Sequence, residues 1–185
     1  MMGKVIVGIT MSLDGYINDG NGSVGDLYYD LAELPDTPIL ADSIRDTGAV
    51  VMGRKAFAMG DADAYADTYE YQVPIFVLTH KPPQKHPHQN DKLTFTFVTD
   101  GVESAIAQAK TAAGHKDVTV VGGANTFQQC LLSGLADEIH IDIMPILLGV
   151  GQKAFEQINK EKIRLEKIEV IETSIRTSLR FRVVK

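Results

Sequence analysis

The sequence predicts one α/β domain, residues 1–185, with three layers, a mixed but mostly parallel central sheet and an antiparallel hairpin at its C-terminal end. Strand-like and helix-like segments alternate through the middle of the chain, which favours parallel strands joined by helices. The unbroken apolar runs AVVM, IFVL and VTVV are typical of strands covered on both faces. No internal repeat or linker divides the chain, so we expect a single domain.

The strands are predicted from short apolar, β-branched segments. In the last of them, SLRFRVV, Leu179, Phe181 and Val183 should face one way and Arg180 and Arg182 the other, as in a strand with one wet face. The predicted strands cover residues 4–10, 49–52, 74–79, 94–98, 118–121 and 138–144, followed by a hairpin over about 163–184.

A long loop and a helix are expected between the first two strands. The loop, residues 11–26, is rich in Asp, Asn and Gly. The helix is indicated by a capping residue at Asp36 or Thr37, by Pro38 in its first turn and by Gly48 just past its end.

Two further helices follow later in the chain. Asp100 and Glu103 read as a capping pair for a helix that Gly114 ends. Phe127 opens a short second helix, which Gly134 stops.

Composition excludes several functional classes. The net charge is −6 and no long basic run occurs, so a nucleic-acid partner is not expected. Neither a signal peptide nor a membrane span is visible, which leads us to expect a cytoplasmic protein without a membrane partner. Cys130, the single cysteine, cannot form an internal disulfide and is expected to be a packing residue.

The segment VTVVGGANTF raises the first functional question, because two glycines stand between a strand and a helix. Parallel α/β sheets bind ligands at the carboxyl ends of their strands, and helix N-termini attract phosphates. Glycine lets the backbone approach such a group closely. We therefore interpret Gly122, Gly123, Ala124, Asn125 and Thr126 as a dinucleotide phosphate site, with a purely geometric glycine turn as the alternative.

Two other strand ends carry phosphate-friendly groups. Gly53, Arg54 and Lys55 follow the second strand, where two cations oppose the helix dipole and are explained by an external anion or by simple solvation. Thr79 and His80, with Lys81 after them, follow the third strand. Together the three strand ends predict one extended cofactor groove.

The motifs MSLDGYI, VVMGRKAF, PIFVLTHKP and the segment from Gly122 to Phe155 resemble, in order and spacing, the reductase half of the bifunctional deaminase-reductases of riboflavin synthesis. That group shares the dihydrofolate reductase fold. The resemblance covers nearly the whole chain, and GLADE with PILLGVG is its most specific part.

The resemblance implies an NADPH-dependent reductase with a dihydrofolate reductase-like fold. By the family pattern, Gly53, Arg54, Lys55, Thr79 and His80 lie by the adenosine phosphate end of the cofactor. The pyrophosphate is held by residues 122–126, and Ile17 and Asn18 lie in a mobile loop over the nicotinamide. At His80 the family often has arginine, so the preference for NADPH over NADH stays open.

The substrate and the proton donor are less well defined. Dihydrofolate reductases carry an acid in the helix after the loop, and the match here makes Asp26 or Asp30 the candidate. Asp26 could equally cap a helix and Asp30 could be solvated. Asp142, on an alternating strand, is expected to face the cleft and contact substrate, unless it points to water.

We expect the substrate to be a small heterocycle, such as the 5-amino-6-(5-phosphoribosylamino)uracil reduced in riboflavin synthesis. Dihydrofolate or pterin reduction and a non-catalytic nucleotide-binding module are the alternatives. No metal site is expected, and one cysteine cannot supply the zinc ligands of a deaminase. A homodimer is expected, with the C-terminal hairpin as the element that pairs.

Overall fold

The computed structural model describes residues 3–156, 158 and 163–185, and its central element is a mixed sheet. Within the described residues the strands are ordered β4-β3-β2-β5-β1-β6-β8-β7. They are β1 (Val5–Ser12), β2 (Thr47–Gly53), β3 (Ile75–Leu78), β4 (Phe95–Val98), β5 (Asp117–Val121), β6 (Glu138–Met144), β7 (Arg164–Glu172) and β8 (Thr177–Val184).

The first six strands of the chain run parallel to one another, and the last two form an antiparallel hairpin. The predicted mixed, mostly parallel sheet with a C-terminal hairpin is thus confirmed. Parallel pairing brings the carboxyl ends of β1, β2, β3, β5 and β6 to one edge, which is where a ligand cleft is expected.

Helices cover both faces of the sheet, as the three-layer prediction requires. On one face α4 (Val102–Ala113) and α5 (Ala124–Leu132) pack on alternate residues of the central strands. The opposite face packs against α1 (Pro38–Asp46), α2 (Arg54–Phe57), α3 (Tyr65–Thr68) and an aromatic cluster. In β2, Ala49 and Val51 belong to the first core whereas Val50 and Met52 belong to the second, because successive side chains of a strand alternate.

Helix α1 begins after Thr37 with Pro38 in its first turn, as predicted. The predicted side-chain cap is wrong, because the helix has none and the Thr37 hydroxyl donates instead to the Leu34 carbonyl at 2.7 Å. Gly48 does not end this helix, because it lies inside β2. A Cβ at Gly48 would come within 2.7 Å of the Lys116 side chain and 2.9 Å of the Ala113 backbone. Close packing, rather than termination of the helix, therefore explains the glycine at position 48.

The starts of α4 and α5 also differ from the sequence prediction. Helix α4 is preceded by Gly101, whose φ is +110°, and has no side-chain cap, so the predicted capping pair of Asp100 and Glu103 is wrong. Helix α5 begins at Ala124, three residues before Phe127, because Gly123 is its N-terminal flanking residue.

The C-terminal strand alternates as predicted. Leu179, Phe181 and Val183 pack against the first core, while Arg180 and Arg182 pair with carboxylates of β7 on the other face. Cys130 is fully buried in that core, and burial raises the pKa of its thiol to about 12. Among the described residues, the helices are too short and too polar to cross a bilayer.

Candidate functional site

The strand ends of β2 and β5 interlock at the carboxyl edge of the sheet. A Cβ on Gly53 would lie 2.6 Å from the Thr126 hydroxyl oxygen, and a Cβ on Gly122 would lie 2.6 Å from the Ala56 Cβ. The starts of α2 and α5 therefore touch, and only glycine at both positions allows this approach. Two motifs that are far apart in the sequence form one surface, as predicted.

The two glycines of the pair, Gly122 and Gly123, are required for different reasons. Both have positive φ, +79° and +73°, which L residues rarely adopt. Gly122 is packed against Ala56, so chain geometry explains it. A Cβ on Gly123 would meet no atom within 4 Å, and this glycine opens onto free space beside the first turn of α5.

The first turn of α5 supplies backbone donors at this opening. The N–H groups of Ala124, Asn125 and Thr126 precede the first residue whose N–H bonds back within the helix, Phe127 to Gly123 at 3.1 Å. Thr126 is buried against Gly53, whereas Asn125 is exposed and accepts a bond from Gln129. In the predicted segment, Gly122 and Thr126 are thus packing residues, whereas Gly123 and Asn125 are accessible to a ligand.

Cations lie beside this turn. Arg54 and Lys55 are exposed at the start of α2, and neither forms an ion pair with any residue that the structure describes. Gly53 is in register with Leu78 of β3, which brings the segment after β3 next to them. Free cations at this edge favour an anionic ligand.

The segment after β3 presents fewer groups than the sequence indicated. Thr79 is buried, and its hydroxyl donates to the Lys81 carbonyl at 2.9 Å and accepts from the Lys81 N–H at 3.2 Å. It therefore shapes the turn. His80 and Lys81 are exposed, so they are the side chains here that a ligand can reach.

The loop that follows β1 is fastened to the loop that follows β6. Asp14 accepts the N–H groups of Leu148 and Gly149 at 3.1 and 2.7 Å, and these bonds with that from Ser12 lower the pKa of its carboxyl. Ile17 donates to the Gln152 carbonyl at 2.9 Å. The first half of the loop is thus anchored.

Asn18 contributes to the same anchor. Its side-chain oxygen accepts the N–H of Gln152 at 2.8 Å. Gly151 has φ +137°, and a Cβ there would lie 1.9 Å from the Asn18 carbonyl oxygen, so a side chain cannot occupy this position. The predicted cofactor contacts Ile17 and Asn18 therefore lie in a loop whose backbone and side chains already hold each other.

Asp142 lies on the sheet face opposite the first core, at the carboxyl end of β6. It is in register with Thr10 of β1 and Ser178 of β8, so the three side chains form a row across three strands. The Asp142 side chain is 18% exposed. Asp142 thus lies away from the first core and is paired with a cation; that it contacts substrate stays a prediction.

A buried arginine joins Asp142 to Asp30. Arg176, in the turn between β7 and β8, is 2% exposed and donates from Nε and Nη2 to the Asp30 carboxylate at 2.7 and 2.5 Å. Its Nη1 donates to Asp142 at 2.9 Å. Burial opposes the charged guanidinium, but the two carboxylates outweigh it and raise the pKa of Arg176.

The two candidate acids are placed very differently. Asp30 is buried in a turn and anchors Arg176, so the alternative of a solvated helix residue is wrong. Both oxygens of the Asp30 carboxylate accept from Arg176, an arrangement that suits an anchoring role. Asp26 is exposed in the short 3-10 turn Gly25–Leu27, which has no side-chain cap.

Sequence reasoning missed a group of tyrosines near the Arg176–Asp30–Asp142 ion pairs. The Tyr28 ring centroid lies 6.0 Å from the Arg176 guanidinium carbon, and the Tyr71 hydroxyl bonds the Ser43 hydroxyl at 2.8 Å. Tyr69 and Tyr71 are 5.6 Å apart. Burial raises the pKa of Tyr28 and of Glu70, and the negative charge of Glu70 adds to the rise at Tyr28.

No local signal could have found these residues. Arg176 is 146 positions from Asp30 and 34 from Asp142, and an arginine beside a strand is most often a surface residue. A separate small cavity of about 40 Å³, lined by Ile6, Asp117, His140 and Arg180, lies toward the amino ends of β1 and β5. It is too small and too far from the glycine edge to be the cofactor groove.

The chain is similar to one protein family over nearly its whole length. The family model of the RibD C-terminal domain matches residues 3–177. A candidate riboflavin biosynthesis protein of Shewanella sp. PV-4 is 24% identical, with 98% of this chain and 99% of that one covered and a TM-score of 0.73.

Two other solved structures share the fold at lower identity. A diaminohydroxyphosphoribosylaminopyrimidine deaminase/5-amino-6-(5-phosphoribosylamino)uracil reductase of Thermotoga maritima is 14% identical over 99% of this chain and 57% of that one, with a TM-score of 0.66. Dihydrofolate reductase of Enterococcus faecalis, complexed with NADP(H), is 15% identical over 100% and 99%, with a TM-score of 0.64. The predicted dihydrofolate reductase-like fold is confirmed.

Proposed function

The chain belongs to the RibD C-terminal domain family, and on that premise we propose that it is an NADPH-dependent reductase of a small heterocyclic substrate. When bound, NADPH supplies the hydride. The protein's own part is to hold the two reactants in position, to exclude water and to stabilise charge. The solved relatives of this fold include a reductase of riboflavin synthesis and a dihydrofolate reductase complexed with NADP(H), which supports the proposal.

The observation that carries the proposal is the interlocked pair of strand ends. Gly123 leaves open space beside the first N–H groups of a nine-residue helix, and next to it stand two cations, Arg54 and Lys55, that form no ion pair within the described part of the chain. Backbone donors, helix dipole and cations all favour a phosphate group. A diphosphate linked to a further phosphate matches this combination better than an uncharged ligand does.

The side chains divide the cofactor between them in this proposal. The first turn of α5, residues 124–126, binds the diphosphate through backbone N–H groups, and Gly123 leaves the space for it. Arg54, Lys55 and His80 bind the adenosine end, and Arg54 supplies the planar pair of donors that suits a 2′-phosphate. Ile17 and Asn18, held by the loop after β6, cover the nicotinamide and keep water out.

On the substrate side Asp142 is the residue that we propose contacts the heterocycle. Arg176 fixes its carboxylate, and Asp30 fixes Arg176. We assign Asp30 to this positioning role rather than to proton donation. Asp26 is exposed, and its side chain makes no hydrogen bond or ion pair with the residues that the structure describes.

Titration calorimetry tests the cofactor assignment. NADPH and NADH are titrated into the protein at 50 and 200 mM salt. We expect NADPH to bind more tightly than NADH, and its affinity to fall as salt rises, because free cations recognise the extra phosphate. Absence of heat with both nucleotides, or salt-independent binding of equal strength, contradicts the proposal.

The assembly and the location of the protein are further parts of the proposal. Strand β7 is the edge of the sheet, and all nine of its residues are exposed or half-buried. Such an edge offers unpaired backbone groups to a second copy, so we propose a homodimer that pairs there. Sedimentation equilibrium that finds only monomer contradicts it. A biosynthetic reductase of this family is expected to act in the cytoplasm.

A further inference from the structure

The loop between β1 and the short turn at residues 25–27 contains a dipeptide, Asn21–Gly22, that the proposed function leaves unused. Asn21 is the one asparagine of the chain that a glycine follows. The side-chain amide of an asparagine can react with the backbone nitrogen of the next residue, and a Cβ on that residue obstructs the approach. Glycine has no Cβ, so this dipeptide is the most reactive of its kind in the chain.

Both reacting groups are open to water. Residues 20–23 are all exposed, and the Asn21 side chain makes no hydrogen bond with any residue that the structure describes. Gly22 has φ +83°, and a Cβ there would meet no atom within 4 Å. The described surroundings therefore leave the Asn21 amide free to approach the Gly22 nitrogen.

A short turn built on Asp19 opposes this reaction. The Asp19 carbonyl accepts the Gly22 N–H at 3.0 Å, and the Ser23 carbonyl accepts the Asp19 N–H at 2.9 Å. The Asp19 carboxylate accepts the N–H groups of Asn21 and Ser23, both at 2.8 Å. The Gly22 nitrogen must leave the Asp19 carbonyl before it reacts, and an exposed turn of this length opens at little cost in free energy.

The other asparagines that the structure describes are protected in two ways. Each is followed by a residue with a side chain, and each holds a hydrogen bond through its own side-chain amide. They are Asn18, Asn90 and Asn125. Their partners lie in the loop after β6, in α3 and in α5, so a separate element of the fold holds each of these amides in place.

We propose that Asn21 is a site of spontaneous deamidation. The Gly22 nitrogen gives its proton to solvent base and attacks the side-chain carbonyl carbon of Asn21, a C–N bond forms, and the amide nitrogen takes up a proton and leaves as ammonia. Water then opens the resulting cyclic imide at either of its two carbonyl carbons, which yields aspartate or isoaspartate at position 21. Water is the only co-reactant, and nothing is oxidised or reduced. The inference does not depend on the reductase function.

The product of this reaction does not rebuild the turn. It places a new carboxylate next to that of Asp19, where the two negative charges repel each other. In the isoaspartate form the main chain is also one methylene longer between residues 21 and 22, so the Ser23 N–H no longer meets the Asp19 carboxylate in the same register. We expect the part of the loop that follows the anchored residues Ile17 and Asn18 to loosen.

Mass spectrometry of the aged protein tests the proposal. The full chain is incubated at 37 °C, folded and in urea, at pH 6 and pH 8, and its tryptic peptides are sequenced. We expect Asn21 of the folded protein to exchange its –NH₂ for –OH at a rate within about tenfold of that in urea, because a single exposed hydrogen bond holds the Gly22 nitrogen. Conversion should be faster at pH 8, since the attacking nitrogen must lose its proton. Conversion in urea alone, or faster conversion at Asn18, Asn90 or Asn125, overturns the proposal.

Two variants separate the reaction from its effect on the loop. Asn21→Gln keeps an amide that would have to close a larger ring, so its mass should not change under the same conditions, and an equal mass gain in this variant overturns the assignment of the site. Asn21→Asp supplies the charge with a main chain of normal length. The Ser23 N–H should exchange its hydrogen about tenfold faster in the isoaspartate form than in fresh protein, and by a smaller factor in Asn21→Asp. An unchanged exchange rate at Ser23 after conversion overturns the loosening of the turn.

Discussion

The two sides of the cleft are built in opposite ways. The proposed cofactor side, at the ends of β2, β3 and β5, consists of contiguous motifs with exposed cations and glycine backbone. The proposed substrate side, at the ends of β1 and β6, consists of residues far apart in the chain whose charges are buried and paired. An exposed charge binds ligands at little cost to folding, whereas a buried charge is tied to the stability of the fold.

The largest effect that this contrast predicts is in stability. Arg176→Ala leaves the buried Asp30 carboxylate and its neighbour Asp142 without a cation, and should lower the free energy of unfolding by about 3–5 kcal/mol. Arg54→Ala should change it by less than about 0.5 kcal/mol, because Arg54 is exposed. Urea unfolding measures both.

Arg182→Ala is the matched control for that experiment. Arg182 pairs with Glu166 at 2.8 Å, but both side chains are more than half exposed, and such pairs contribute about 0–1 kcal/mol. Equal losses in the Arg176 and Arg182 variants would show that the buried cluster has no special role.

Substitutions at the paired glycines distinguish packing from ligand binding on the proposed cofactor side. Gly122→Ala should destabilise the protein by about 1–3 kcal/mol of overpacking against Ala56, beyond the about 1–2 kcal/mol that a left-handed conformation costs an L residue. Gly123→Ala has only the conformational cost, because its Cβ would meet no atom within 4 Å, but it places a methyl group in the proposed phosphate site. In thermal unfolding, Gly122→Ala should therefore lower the Tm more than Gly123→Ala does. In NADPH titration, Gly123→Ala should lose more affinity than Gly122→Ala does.

Arg54 tests the charge recognition itself. Arg54→Ala should weaken NADPH about tenfold or more and leave NADH within about twofold, because a charge-assisted bond to the 2′-phosphate is lost. Titration calorimetry compares the nucleotides, and the Arg182→Ala variant controls for a loss of general positive charge. Equal weakening of both nucleotides would refute the role given to Arg54.

The smallest effect concerns His140 of β6, which lines the small cavity toward the amino ends of β1 and β5, away from both regions. Burial lowers the pKa of His140, and the nearby Arg180 lowers it further. A depressed folded-state pKa means that the neutral form is favoured by folding, so stability should be full above pH 6.5 and decline as the pH falls below it.

His140→Gln keeps a polar side chain and removes the titration. The pH dependence of urea unfolding between pH 7 and 5 should become flatter in this variant. An unchanged slope would mean that His140 does not contribute to it.

The same contrast explains what the sequence could predict. Strand ends, the glycine pair and the cations of GRKAF are local patterns; they predicted the fold, which is confirmed, and a cofactor site, which stays a prediction. Element boundaries were less certain, because Gly48 serves close packing and Gly123 lets α5 start before Phe127. Both glycines are explained by the folded structure around them, which the neighbouring residues in the sequence do not reveal.

The substrate side could be predicted only in part. Asp30 and Asp142 were nominated from a family pattern and an alternating strand, but their shared partner Arg176 is separated from them by long stretches of chain. The Ser178 hydroxyl, which is buried without a hydrogen-bond partner among the described residues, has no sequence signal, because distant parts of the chain determine its surroundings. Such features require the assembled sheet.

A crystal structure of the NADPH complex tests the two-sided cleft most directly. The account predicts the diphosphate within hydrogen-bond distance of the Ala124 and Asn125 N–H groups, with the adenosine end toward Arg54 and the nicotinamide toward Asp142. A cofactor bound with its phosphates among Asp30, Asp142 and Arg176, or bound away from Gly123, would contradict it.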